Sequence, residues 1–264
     1  MEKWQIFEHE CAEYLQSKYS EMGIDFKVTG GYNSSSSDIQ VLKNENRIFS
    51  IECKMSAAQC GQFVLFADEK NKRFVFSQHN KTLYNDFAKK IIDEMEKRFE
   101  LCISSSKDLP IPENVISEWV KDYYLNFKKS KYCITQSNCG YIIFPIEHID
   151  KYFEFSAKYR TKKSGSSNPS KNNVPEIVSL LKNIDTTIKV GFKNSECFAD
   201  FNYPHEKFIL QGVKYRYQFA KDGNSYKIRR LSNTSNANFI VSIRLKEEKQ
   251  DTIDLQNFER NLIK

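Results

Sequence analysis

Asp38, Glu52 and Lys54 are the residues whose types and spacing could do chemistry in this chain. They lie in Ser37-Asp38-Ile39-Gln40 and in Ile51-Glu52-Cys53-Lys54. Side chains alternate faces along a strand, so Phe49, Ile51 and Cys53 form an apolar stripe while Ser50, Glu52 and Lys54 project from the other side. Lys43-Asn44-Glu45-Asn46 reads as a polar turn between strands over 38–42 and 47–55. A three-residue loop centred on Glu45 would set Asp38 across from Glu52, and a slip of one residue would reverse the face. Two carboxylates brought together repel unless a cation lies between them. Hard oxygen donors suit Mg²⁺ or Mn²⁺, which can activate a water and neutralise charge on a phosphate. The Lys54 ammonium could hold that water or offset negative charge in the transition state.

These residues need elements to position them. Trp4, Phe7, Cys11, Tyr14, Leu15 and Tyr19 recur at helical spacing, which predicts a helix over 3–20 closed by Gly23. A short strand over 24–28 and a Gly/Asn/Ser loop over 30–37 follow. Beyond the Glu52 strand, short strands are expected at 62–66, 73–77, 133–135 and 141–144, and amphipathic helices at 82–101 and 113–129. Residues 158–174 read as an exposed basic loop and a domain boundary. After it come a helix at 175–183, strands at 187–192, 207–211, 213–219, 225–231 and 238–245, and a final helix at 254–263.

Asp-x₁₃-Glu-x-Lys behind an apolar strand, with an acidic first helix and a Gly/Ser loop before the Asp, resembles the PD-(D/E)xK nuclease superfamily. Within it, the chain is most like a type II restriction endonuclease. The resemblance covers roughly residues 1–80 and departs at Ser37, where the family name has Pro. It implies an α/β restriction-endonuclease-like core, a mixed sheet flanked by helices, here over 1–155. It implies Asp38 and Glu52 as ligands of Mg²⁺, with Mn²⁺ able to substitute, and Lys54 as the catalytic lysine. Glu8 on the first helix is a further acidic candidate, and Gln59 a weaker one.

The remainder, 156–264, is expected to be a basic α+β, strand-rich DNA-recognition region. It carries 20 Lys and Arg against 11 Asp and Glu, whereas residues 1–155 carry 20 against 23. A basic surface suits a polyanion, because phosphate contacts release counterions. Lys158, Arg160, Lys162, Lys163, Lys171, Arg216, Arg229 and Arg230 are the expected DNA contacts, with the polar stretch Ser232–Asn236 near base edges. The seven Cys are scattered without a Cys-x-x-Cys pair, which argues against zinc and fits a reducing, cytoplasmic compartment. The His at 9, 79, 148 and 205 lack ligand spacing, no phosphate-cradling Gly loop implies ATP, and no apolar run implies a membrane span. The expected activity is Mg²⁺-dependent hydrolysis of double-stranded DNA by a homodimeric, sequence-specific endonuclease. The alternatives are a structure-selective repair or recombination nuclease and a non-catalytic DNA-binding protein.

Overall fold

The computed structural model describes residues 2–29, 36–104, 108–163, 166–231 and 235–263, except the side chains of 104, 161–163 and 235–237. Helix α1 (Lys3–Lys18) buries Phe7, Cys11, Ala12 and Leu15, the face set by helical periodicity. It ends in a short 3₁₀ turn, and Gly23 sits at φ 63°, a left-handed conformation that glycine adopts without Cβ strain. Strands β1 (Ile24–Val28), β2 (Ile39–Lys43) and β3 (Asn46–Cys53) then run antiparallel.

The β2–β3 connection differs from the expected three-residue loop. It is a two-residue turn, Asn44-Glu45, with both residues at positive φ, the twist that suits a tight hairpin. Leu42 faces Arg47, but Val41 faces Phe49, so the register shifts by one residue through a bulge at Ile48. Ile39 consequently faces Ile51, and Asp38 continues the register opposite Glu52.

Strands β4 (Ala57–Asp68) and β5 (Arg73–Phe76) form a hairpin. The helix expected over 82–101 is two helices, α2 (Asp86–Glu96) and α3 (Phe99–Ser104), with Asn85 capping α2 by accepting from the Ala88 amide. The helix expected over 113–129 stops at Asp122 as α4 (Glu113–Asp122), then widens into a π-helical turn, Tyr123–Phe127. Strands β6 (Tyr132–Ser137) and β7 (Gly140–Pro145) complete a five-stranded sheet in the order β1-β2-β3-β6-β7. β3 and β6 are parallel and the other pairs antiparallel, so the sheet is mixed, with β3 at its centre.

A one-turn helix, α5 (Ile149–Tyr152), leads into β8 (Phe153–Lys163). Residues 158–163, the first part of the basic loop expected over 158–174, are instead the end of this strand. Phe153, Phe155, Ala157 and Tyr159 are buried at alternate positions, while Lys158 and Arg160 face outward. The period-two apolar pattern outweighs the run of bases.

Residues 161–237 form a compact unit of their own. It contains β9 (Ser166–Ser167), α6 (Val174–Leu181), β10 (Lys189–Lys193), β11 (Glu196–Asp200), β12 (Lys207–Gln211), β13 (Arg216–Asp222) and β14 (Ser225–Leu231). The sheet order is β10-β11-β14-β13-β12, with β9 added on β14 and every pairing antiparallel. Ile177 and Leu181 of α6 pack on Cys197, Ala199, Phe219 and Ile228, and Phe208 stacks on Phe219. β11 lies outside the strands expected from the sequence.

The expected division at residues 155 and 156 differs from the observed one. After residue 237 the chain returns to the first unit as β15 (Ser235–Leu245) and α7 (Thr252–Ile263). β15 lies between β4 and β8 in a second sheet, β5-β4-β15-β8. α7 inserts Phe258 and Leu262 into the same core as α1 and the five-stranded sheet. Phe258 meets Phe49, Tyr132 and Tyr19 at ring-centroid distances of 5.8, 5.0 and 5.7 Å. Burial of such rings is the dominant favourable term, and it outweighs the basic composition that suggested one C-terminal region.

β4 also tests the packing. A Cβ on Gly61 would lie 2.7 Å from two ring atoms of the buried Trp119. Gly61→Ala is expected to lower stability by roughly 1–3 kcal/mol through overpacking. Urea denaturation monitored by tryptophan fluorescence measures it, and an unchanged midpoint would show that the ring has room to move.

Candidate active site

Asp38 and Glu52 meet because the bulged hairpin aligns them, and both are buried: Asp38 is 7% exposed and Glu52 wholly enclosed. Phe49, Ile51 and Cys53 turn to the α1 side of the sheet, as the alternation predicts, leaving Glu52 and Lys54 on the other face. Lys54 lies one residue past β3, and its amide still donates to the Ile134 carbonyl of β6, so its backbone is held.

The Lys54 ammonium donates to Asp38 Oδ2 at 3.3 Å, Glu52 Oε2 at 3.1 Å and the Cys53 carbonyl at 3.1 Å. Three acceptors match its three hydrogens. Asp38 Oδ2 also accepts from the Cys53 amide at 2.9 Å. The Tyr124 ring lies 5.3 Å from Lys54 Nζ, and its hydroxyl donates to the Cys60 carbonyl at 2.7 Å.

Two residues that sequence reasoning missed complete the cluster. Lys128 Nζ donates to Glu52 Oε2 at 2.9 Å and Oε1 at 3.2 Å, and lies 3.6 Å from Asp38 Oδ1. Ser130 Oγ donates to Glu52 Oε1 at 2.8 Å. Both follow the π-helical turn, where the Lys131 amide donates to the Ser50 carbonyl and starts the parallel β3–β6 pairing. No local motif marks them, since their place depends on a pairing across about 80 residues. The repulsion that the sequence seemed to require a metal to relieve is here relieved by two ammonium groups.

The electrostatics follow from burial and these charges. Burial pushes the Asp38 carboxyl up, but Lys54, Lys128 and the Cys53 amide outweigh it and hold it below its ordinary value. Glu52 is raised by burial first and by the Asp38 charge second, and the two lysines offset this only in part. Burial disfavours the charged Lys54, yet Asp38 foremost keeps it well above the usual lysine range, so it remains an ammonium. Glu8 is 8% exposed and its carboxyl is pushed up to about 7, by burial first and by Asp38 next. It therefore responds to the same charges as the cluster and exchanges its proton near neutrality. Gln59 is exposed on β4, bonds Gln62, and stays outside this network.

Among the described residues, no three His, Cys, Asp or Glu side chains form a ready-made ligand set. The donors present nevertheless fit a hard divalent ion. Asp38 and Glu52 face each other as carboxylates, without thiol or imidazole competitors among their bonded neighbours, and such ions keep several waters as ligands.

The expected DNA contacts have varied surroundings. Lys158, Arg160 and Lys171 are exposed, with Lys158 3.6 Å from Asp108. The Lys162 and Lys163 side chains, the loop over 30–35 and residues 232–234 lie outside the described residues. Arg229 donates to the Ser166 hydroxyl and carbonyl and to Asn168, so it fastens β9 to β14. Arg230 lies 4.5 Å over the Tyr215 ring and bonds Ser167. Arg216 is half-buried on β13.

No family model matches the chain, and no curated protein does. Among solved structures, HhaI endonuclease in complex with DNA matches at 34% identity over 99% of this chain and 99% of that one, with a TM-score of 0.69. The chain belongs to the PD-(D/E)xK nuclease superfamily, most like a type II restriction endonuclease. The match runs through unit 161–237 as well as the unit that carries Asp38, Glu52 and Lys54, so the likeness extends far beyond the first 80 residues that suggested it. For this nuclease relative, no helix among the described residues is long and apolar enough to cross a membrane.

Proposed function

We propose that this chain is a Mg²⁺-dependent endonuclease that hydrolyses double-stranded DNA at a specific sequence, as a type II restriction enzyme does. The observation that carries the reading is the convergence of Asp38, Glu52 and Lys54 on one face of the central strand. The full-length likeness to an endonuclease solved with DNA supports it.

Asp38 and Glu52 would hold the ion, with Mn²⁺ able to replace Mg²⁺. When bound, the ion supplies a more acidic water and neutralises charge on a phosphate oxygen. Lys54 is held as an ammonium with its three hydrogens on Asp38, Glu52 and the Cys53 carbonyl, so its role would be to offset the extra negative charge through its field, rather than to take a proton. Glu8, whose carboxyl exchanges its proton near neutrality, is the candidate to receive one. In the reaction a water oxygen bonds phosphorus, the phosphodiester P–O bond breaks, and the leaving oxygen gains a proton.

Unit 161–237 would read the sequence. It carries 13 Lys and Arg against 6 Asp and Glu, so it concentrates the positive charge that phosphates attract. Lys158, Arg160, Lys162, Lys163, Lys171, Arg216, Arg229 and Arg230 remain the proposed DNA contacts. Two copies of the chain would cut the two strands. The likeness through the whole of this unit favours a restriction role over a small junction-resolving nuclease.

Incubation with duplex DNA and Mg²⁺ tests the reading. Wild type is expected to give discrete bands, and an Asp38→Ala, Lys54→Ala double variant none. Equal cleavage by both proteins would rule the proposed centre out.

A further inference from the structure

Lys128 is a second buried lysine on the two acidic side chains, and the reaction described above gives it no task. Its side chain is 8% exposed, comparable to the carboxylates it touches. Asp38 Oδ2 is already used by the Cys53 amide and Lys54. Asp38 Oδ1 is the oxygen left facing the cluster, and Lys128 lies against it while bonding both oxygens of Glu52. Lys128 thus bridges the two carboxylates that would jointly ligate a cation.

The charges explain why this matters. With both acids ionised, Asp38 and Glu52 face Lys54 and Lys128 as two negative and two positive groups in one buried cluster, and the nearby Glu8 adds part of a negative charge near neutrality. Adding a divalent ion to a balanced cluster would leave uncompensated buried charge, which is costly. The balance returns if an ammonium leaves, a further anion enters or Glu8 gives up its proton. Lys54 is fixed by three acceptors, one a backbone carbonyl, beside a strand. Among the described residues the Lys128 ammonium hydrogen-bonds Glu52 alone, with Asp38 Oδ1 at 3.6 Å and the Tyr124 ring at 6.0 Å and no backbone carbonyl holding it, and the residue lies where the π-helical turn ends, followed by Lys129 at φ 58°. Lys128 is therefore the group that can yield.

We infer that Lys128 is a built-in counter-cation, occupying the divalent ion's place on Asp38 and Glu52 and giving it up when the ion binds. The inference rests on the nuclease reading of this centre. Lys128 acts through the carboxylates it holds, so it is a positioning residue. The freed ammonium would then be available to a DNA phosphate, which couples ion binding to substrate binding.

The test compares Mn²⁺ binding by DNA-free wild type, Lys128→Met and Lys128→Arg, using calorimetric titration of the full chain after EDTA stripping. Met keeps the length and removes the charge, so Mn²⁺ should bind Lys128→Met at least about tenfold more tightly. Lys128→Arg keeps the charge and should stay within about twofold of wild type. Unchanged or weaker binding by Lys128→Met overturns the inference, and if wild type binds Mn²⁺ in that case, the nuclease reading stands. Binding by neither protein overturns both. If Lys128→Met does not fold in EDTA, Mn²⁺ should restore its circular dichroism on refolding, because the ion takes over the lysine's charge. Failure of that rescue also overturns the inference.

Discussion

Lys54→Met is expected to slow single-turnover cleavage of duplex DNA by roughly 100- to 1,000-fold, the range for losing one preorganised charge donor to a developing anion. The ammonium is fixed by Asp38, Glu52 and the Cys53 carbonyl, so its position is set before substrate arrives. Asp38 keeps it charged. A preorganised cation stabilises the transition state without reorganising at the moment of reaction. Methionine has a similar length but no charge, and Lys128 still faces both carboxylates, so part of their compensation remains while the Lys54 charge is lost. Arginine should not rescue it, because a planar fork cannot reproduce three tetrahedrally disposed bonds. Rapid-quench kinetics in Mg²⁺ measure the effect, with circular dichroism as the control for folding. A rate within tenfold of wild type would remove Lys54 from the reaction.

Phe258→Ala should have the largest effect on stability, about 3–5 kcal/mol, the cost of deleting a fully buried aromatic ring. The ring joins α7 to three separate parts of the first unit through Tyr19, Phe49 and Tyr132. Phe49 is on β3, three residues before Glu52, so the loss reaches the strand that carries the site. Calorimetry should show the melting temperature falling by about 10 °C, given roughly 2–4 °C per kcal/mol for a unit of this size. A change of one degree or less would mean that α7 is not part of this core.

Asp38, Glu52 and Lys54 were legible in the sequence because strand alternation is local. Phe49-x-Ile51-x-Cys53 names the apolar face, and the polar residues between them must face the other way. The helical spacing of Phe7, Cys11 and Leu15 placed α1 for the same reason. The mixed-sheet core and the likeness to a restriction endonuclease also followed from those residues.

Tertiary structure decided the rest, because those features depend on segments distant in the chain. The Asp38–Glu52 alignment is the one expected from the sequence, but it is reached through a two-residue turn and the Ile48 bulge rather than a three-residue loop, and without the bulge Asp38 would lie opposite Ile51, on the wrong face. The end of β8 carries a run of bases typical of a loop, yet its apolar residues alternate into a core that only the folded chain supplies. α7 looked like part of a basic C-terminal region, yet its apolar face found the first core. Lys128 and Ser130 are invisible until β6 pairs with β3 and carries them to Glu52. The sequence alone thus determined which side chains share a strand face, since that depends on residues two apart. Only the folded chain could decide how that centre's charge is balanced, since Coulomb energy depends on distance in space.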